Sequence, residues 1–205
     1  MKKQVVIAVL IVCLPSFLIA QTFTEWIGNG WGLGIDDGHP AITDIDSDGL
    51  LDLLVGTYNG DIHHFEQTAV NSNSFSLIKH HFNNINVGLF ATPVFTDIDN
   101  DGLLDLIVGE WQGNLHHYEQ ASTSADSFLL ITNDFNSITV GSNSSPHFTD
   151  LDQDGLLDLL IGAHSGNLFL YEQESTGSVN FVLITDSMSV DPPTIRINPT
   201  VTDLD

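Results

Sequence analysis

One segment of this chain returns three times at a fixed interval. Asp44-Ile-Asp-Ser-Asp-Gly-Leu-Leu-Asp-Leu-Leu-Val-Gly56 recurs as Asp97-Ile-Asp-Asn-Asp-Gly-Leu-Leu-Asp-Leu-Ile-Val-Gly109, then as Asp150-Leu-Asp-Gln-Asp-Gly-Leu-Leu-Asp-Leu-Leu-Ile-Gly162. A further copy opens at Asp203-Leu-Asp205. The interval is 53 residues each time (97 − 44, 150 − 97, 203 − 150). A fixed period of this length is the mark of stacked supersecondary units, each unable to bury its own apolar faces.

The register extends beyond the acidic segment. Pro40, Pro93, Pro146 and Pro199 are in phase, as are Thr43, Thr96, Thr149 and Thr202. Gly60, Gly113 and Gly166 follow, then Glu66-Gln67, Glu119-Gln120 and Glu172-Gln173, then Phe75, Phe128 and Phe181. Apolar residues make up 42% of the chain, and they fall in short runs broken by Gly, Asn, Asp and Ser, which reads as strands rather than helices. The expectation is four strands per unit, in the second unit Phe75–Phe82, Pro93–Thr96, Leu103–Val108 and Asn114–Gln120. Four short strands per unit of this length predict an all-β fold of antiparallel β-propeller blades. A parallel β-helix has far shorter turns. The run Leu103–Val108 is apolar on both faces except at Asp105, as a strand between two neighbouring blades should be. Three units and a fragment predict an open arc of about three to four blades, a piece of a longer protein whose exposed faces and edges favour association.

The acidic segment itself has a donor logic. In residues 44–52, 97–105 and 150–158, carboxylates stand at positions 1, 3, 5 and 9, with Gly at 6. Alternate acids in a tightly curled loop aim at one centre, and Gly supplies the turn's unusual backbone angle. Oxygen-only ligands suit calcium; magnesium prefers fewer protein ligands and keeps its waters. Without a cation, one carboxylate pair at ~4 Å costs roughly 4 kcal/mol at an effective dielectric near 20.

The pattern D-h-D-x-D-G-h-x-D-h-h-h-G between strands resembles the FG-GAP or VCBS-type repeats of integrin α-subunit propellers and of many secreted bacterial proteins. That resemblance implies a propeller, with calcium in a hairpin loop between the first two strands of each blade. Carried over by position, it implies ligands Asp44, Asp46, Asp48, the Leu50 carbonyl and Asp52. The second loop gives Asp97, Asp99, Asp101, the Leu103 carbonyl and Asp105. The third gives Asp150, Asp152, Asp154, the Leu156 carbonyl and Asp158, so three ions in all, with a truncated fourth loop from 203. The family's "FG" is here Val87-Gly88 and Val140-Gly141, and its "GAP" is Gly56-Thr57-Tyr58, Gly109-Glu110-Trp111 and Gly162-Ala163-His164, which marks a divergent bacterial version.

Residues 1–20 differ from the rest. Lys2 and Lys3 precede the apolar run Val5–Leu14, and Ala20 ends the segment, a secretory signal peptide cleaved before Gln21. The propeller repeats then occupy 21–205. The single cysteine, Cys13, leaves with the signal, so no disulfide or thiol nucleophile serves the mature chain. With 27 acidic residues against 4 basic ones, two of which leave with the signal, the mature chain carries 2 − 27 = −25. Nucleic acid and anionic membranes are excluded as partners, and no membrane insertion follows cleavage.

Two further residue sets bear on function. His63-His64 and His116-His117 recur in phase, but neighbours on a strand face opposite ways, so they read as packing and surface residues rather than a zinc site. Tyr58, Trp111 and His164 occupy the turn at the far end of the strand from the acidic loop, where turns of adjacent blades line one face, and they are read as a face for a sugar or peptide ligand. Glu66, Glu119 and Glu172 recur in every unit, which argues for structure over a single catalytic centre. The expected protein is a secreted, extracellular or cell-surface, non-catalytic adhesion or ligand-binding scaffold stiffened by calcium, with a protein or glycan ligand. A carbohydrate-binding accessory propeller of a secreted polysaccharide-degrading enzyme is the alternative.

Overall fold

A computed structural model describes residues 38–188 and Pro199. The expected signal segment 1–20, its expected cleavage point and the expected fourth loop from 203 lie outside the described residues. Three four-stranded antiparallel sheets follow one another along the chain, each a meander with strands in sequence order. The first comprises β1 (His39–Thr43), β2 (Asp52–Gly56), β3 (Ile62–Gln67) and β4 (Phe75–Lys79). The second comprises β5 (Thr92–Thr96), β6 (Asp105–Gly109), β7 (Leu115–Gln120) and β8 (Phe128–Thr132). The third comprises β9 (Ser145–Thr149), β10 (Asp158–Gly162), β11 (Leu168–Gln173) and β12 (Phe181–Met188). They are blades of an open propeller arc. Register repeats from blade to blade: Thr43 opposes Asp52, Thr96 opposes Asp105 and Thr149 opposes Asp158. Neighbouring blades approach through β1, β5 and β9, so these are the inner strands and β4, β8 and β12 are the outer edges.

The core lies between blades. On β6, Leu106 and Val108 face the first blade and pack with Leu54, Ile62, Phe82 and Phe128. Ile107, one residue along, faces the third blade and packs with Leu115, Phe135, Leu159 and Ile161. All three β6 side chains are fully buried, so the pleat serves two cores at once and the strand can tolerate no polar residue there.

Blade boundaries differ from the expected phase. Phe75–Lys79 pairs with β3 and closes the first blade instead of opening the second. The strand also ends before Phe82, because Asn83 and Asn84 take positive φ of 49° and 56° and turn the chain through a short 3₁₀ segment at Phe82–Asn84. That segment drives Phe82, fully buried, into the space between blades. Phe135–Ser137 repeats the device one blade on. Among the described residues, no helix is long and apolar enough to cross a membrane.

Candidate metal centres

Each acidic loop joins the first two strands of its blade, and its curl is built by its own carboxylates. In the first, Asp44 accepts hydrogen bonds from the backbone N–H of Asp48 (3.2 Å) and of Gly49 (3.0 Å). Asp48 in turn accepts from the Leu50 N–H at 2.7 Å, which fixes the leucine at position 7, the implied carbonyl donor. Asp46 accepts from the Asp48 N–H at 3.3 Å. The same bonds recur around Asp97, Asp99 and Asp101 and around Asp150, Asp152 and Asp154. Position 4 adopts positive φ in every loop (Ser47 61°, Asn100 58°, Gln153 63°), and so does Gly at position 6 (89°, 85°, 89°). With such angles the backbone wraps tightly enough for its acids to share a centre.

Convergence follows. Asp44, Asp46 and Asp48 each offer a carboxylate oxygen, all within 4.8 Å of one another, and Asp97, Asp99 and Asp101 do the same. In the third loop the groupings are Asp150, Asp152 and Asp158, and Asp152, Asp154 and Glu172. The position-9 carboxylates lie deepest, with Asp52, Asp105 and Asp158 all buried. One oxygen of each accepts the backbone N–H of position 2, Ile45, Ile98 or Leu151, at 2.7 Å. The all-oxygen donor set, curled by its own backbone bonds, fits a hard divalent cation of the calcium type.

The charge these loops concentrate is visible in their acidities. Burial, then Asp48, push the Asp46 carboxyl above its ordinary value, and burial, then Asp101, do so for Asp99. Burial also raises Asp158, assisted by Asp152, Asp150 and Asp154. Each therefore holds its proton more readily than in water, first because burial strips its solvation and then because its neighbours are anions.

Two residue sets carry more than the sequence assigned them. Glu66, Glu119 and Glu172 sit directly across the sheet from Asp52, Asp105 and Asp158, a like-charge pairing that destabilises a ladder. Burial, then the loop aspartates, raise all three. They extend the acidic shell; the in-phase Glu-Gln pair was the available signal. The histidines divide between faces as alternation required. His64 Nε2 lies 2.6 Å from Asp52 Oδ1 and His117 Nε2 lies 2.5 Å from Asp105 Oδ1. His63 instead meets the rings of His80 and His81 on the other face.

At the far end of the blades the turn aromatics come together. Tyr58 meets Phe90 edge-on at 4.5 Å, Phe90 stacks on Trp111 at 5.2 Å, and Trp111 meets His164 at 6.2 Å. Phe90, absent from the expected set, completes the row; it holds φ of 56°, fixed by its N–H bond to the Tyr58 carbonyl. Tyr58 and Trp111 remain 44% and 41% exposed, so the row presents surface as well as filling the seam between blades.

A family model described as an FG-GAP-like repeat matches residues 44–108 and again 97–161. Among solved structures, a thermostable family-43 glycoside hydrolase is similar at a TM-score of 0.50 and 12% identity, covering 75% of this chain and 54% of that one. A GH62 hydrolase in complex with xylotriose reaches a TM-score of 0.45 at 13% identity, covering 76% and 52%. This chain spans about half the length of both. At such identity the first likeness speaks for the fold alone. No curated protein matches the sequence.

Proposed function

Because the chain belongs to the FG-GAP-like repeat family, matched over residues 44–108 and 97–161, we propose that it is a calcium-binding, extracellular propeller scaffold that binds a ligand without catalysis. The observation that carries this reading is the threefold recurrence of one loop geometry, with the same acids, the same backbone bonds and the same positive φ positions. Bound calcium would lie among Asp44, Asp46, Asp48, Asp52 and the Leu50 carbonyl, and at the equivalent residues of the other two loops. The ion supplies the positive charge that lets these carboxylates crowd in a hairpin. Secretion is supported by the apolar segment after Lys2 and Lys3; extracellular calcium would fill such loops.

Ligand contact is assigned to the row Tyr58, Phe90, Trp111 and His164. Its exposed rings also favour a second reading, a glycan-binding accessory propeller, since sugars and peptides both pack on aromatic surface. Trp111→Ala tests the face. Screened against a glycan array and against extracellular matrix proteins, the chain should bind one class, and the variant should lose that binding while its Tm falls by only a few degrees. Full binding by the variant would remove the face from the account.

A further inference from the structure

The three loops are not equal. Resting on the calcium reading above, we infer that His64 and His117 are positioning residues that hold Asp52 and Asp105 away from the cation, so that the loop at 150–158 is the tightest site of the three.

The difference begins at one strand position. His64 opposes Leu54, His117 opposes Ile107 and Leu170 opposes Leu160, each two residues along from the position-9 aspartate and on its face. In the first two blades both carboxylate oxygens are engaged. Oδ2 of Asp52 accepts the Ile45 N–H at 2.7 Å, and Oδ1 meets His64 Nε2 at 2.6 Å. Asp105 repeats this with Ile98 at 2.7 Å and His117 at 2.5 Å. The ring cannot easily retreat: Phe82 packs on His64 at 5.2 Å and Phe135 on His117 at 5.3 Å. The His64 Nδ1 is buried and meets no hydrogen-bond partner among the described residues, which assigns the proton to Nε2, where it is donated to Asp52.

In the third blade Leu170 takes the place of that histidine. Leu151 still bonds Asp158 Oδ2 at 2.7 Å, but Leu170 has nothing to donate to the other oxygen. Asp158 is accordingly the position-9 carboxylate whose oxygen gathers with those of Asp150 and Asp152; Asp52 and Asp105 join no such group among the described residues. A cation entering the first two loops must draw its deepest ligand off an imidazole. In the third loop that ligand already gathers with Asp150 and Asp152.

Each loop carries its own reporter, the position-6 glycine amide bonded to the position-1 aspartate at 3.0 Å in Gly49, Gly102 and Gly155. The full chain, labelled with ¹⁵N-glycine and assigned through Asp46→Asn, Asp99→Asn and Asp152→Asn, is titrated with calcium chloride. Gly155 should reach half-change at roughly ten-fold lower calcium than Gly49 and Gly102, the equivalent of one hydrogen bond to a charged group that the cation need not break there. His64→Leu should move Gly49 alone to tighter binding, and Leu170→His should move Gly155 alone to weaker binding. His64→Gln, which keeps an N–H donor, should stay near the parent. If His64→Leu fails to fold, Leu170→His tests the clamp in reverse. Three glycines titrating together, or weaker binding in His64→Leu, would overturn the inference and leave the calcium reading standing; no response at any glycine would remove both.

Discussion

The side-chain nitrogen of Gln120 lies 2.6 Å from the carbonyl oxygen of Ile45, a residue 75 positions earlier in the chain. Ile45 is position 2 of the first acidic loop, while Gln120 ends β7 in the second blade. The same amide donates to Ala125 at 2.9 Å, and its oxygen accepts the Leu104 N–H at 3.1 Å within the second loop. Gln173 makes the equivalent bond to Ile98 at 2.8 Å. In the second and third blades one glutamine therefore ties its own loop to the loop of the blade before.

Truncating that clasp should be costly. Gln120 is 2% exposed and Ile45 1%, so Gln120→Ala leaves buried polar groups without partners in two blades. A loss on the order of 3 kcal/mol is expected, since each orphaned group costs roughly 1–3 kcal/mol. Urea denaturation of the parent and variant measures it. A change below about 0.5 kcal/mol would show that water replaces the glutamine and that the blades are not joined here.

Two glycines of the same repeat should respond for different reasons. A Cβ at Gly109 would lie 2.2 Å from the Ser144 carbonyl oxygen of the next blade, whereas Gly102 has nothing within 4 Å and only its φ of +85° to defend. Gly102→Ala should cost about 1 kcal/mol of backbone strain. Gly109→Ala forces the blades apart and should cost about 3 kcal/mol or more. Thermal melts of both variants rank them; a reversed order would mean the blades do not approach at Gly109.

The contrast shows what the sequence can and cannot disclose. Period, strand content and the aspartate loops were legible because the loop chemistry is local: positions 1, 3, 5 and 9 lie within one hairpin, and three copies repeat them. Blade phase was not. Phe75 stands almost midway between two loops, 23 residues after Asp52 and 22 before Asp97, and only pairing with β3 decides its sheet. The contacts of Gly109 with Ser144, of Gln120 with Ile45 and of Trp111 with His164 all join different blades, and no local pattern announces a partner so far along the chain. The His64–Asp52 pair was missed for the same reason, since it needs the register of β2 on β3.

The central claim, that the acidic loops are calcium sites holding the blades, is tested most directly by a thermal melt of the full chain in chelator, in about 2 mM calcium and in magnesium. Extracellular modules bind calcium at roughly 10⁻⁴ to 10⁻³ M. At a Kd near 0.1 mM, binding contributes about RT ln 21, or ~1.8 kcal/mol per loop, and three loops ~5 kcal/mol. The account predicts a Tm about 10–20 °C lower in chelator, restored by calcium and only partly by magnesium. An identical melt in chelator and in calcium would contradict it, and equal rescue by magnesium would contradict the choice of ion.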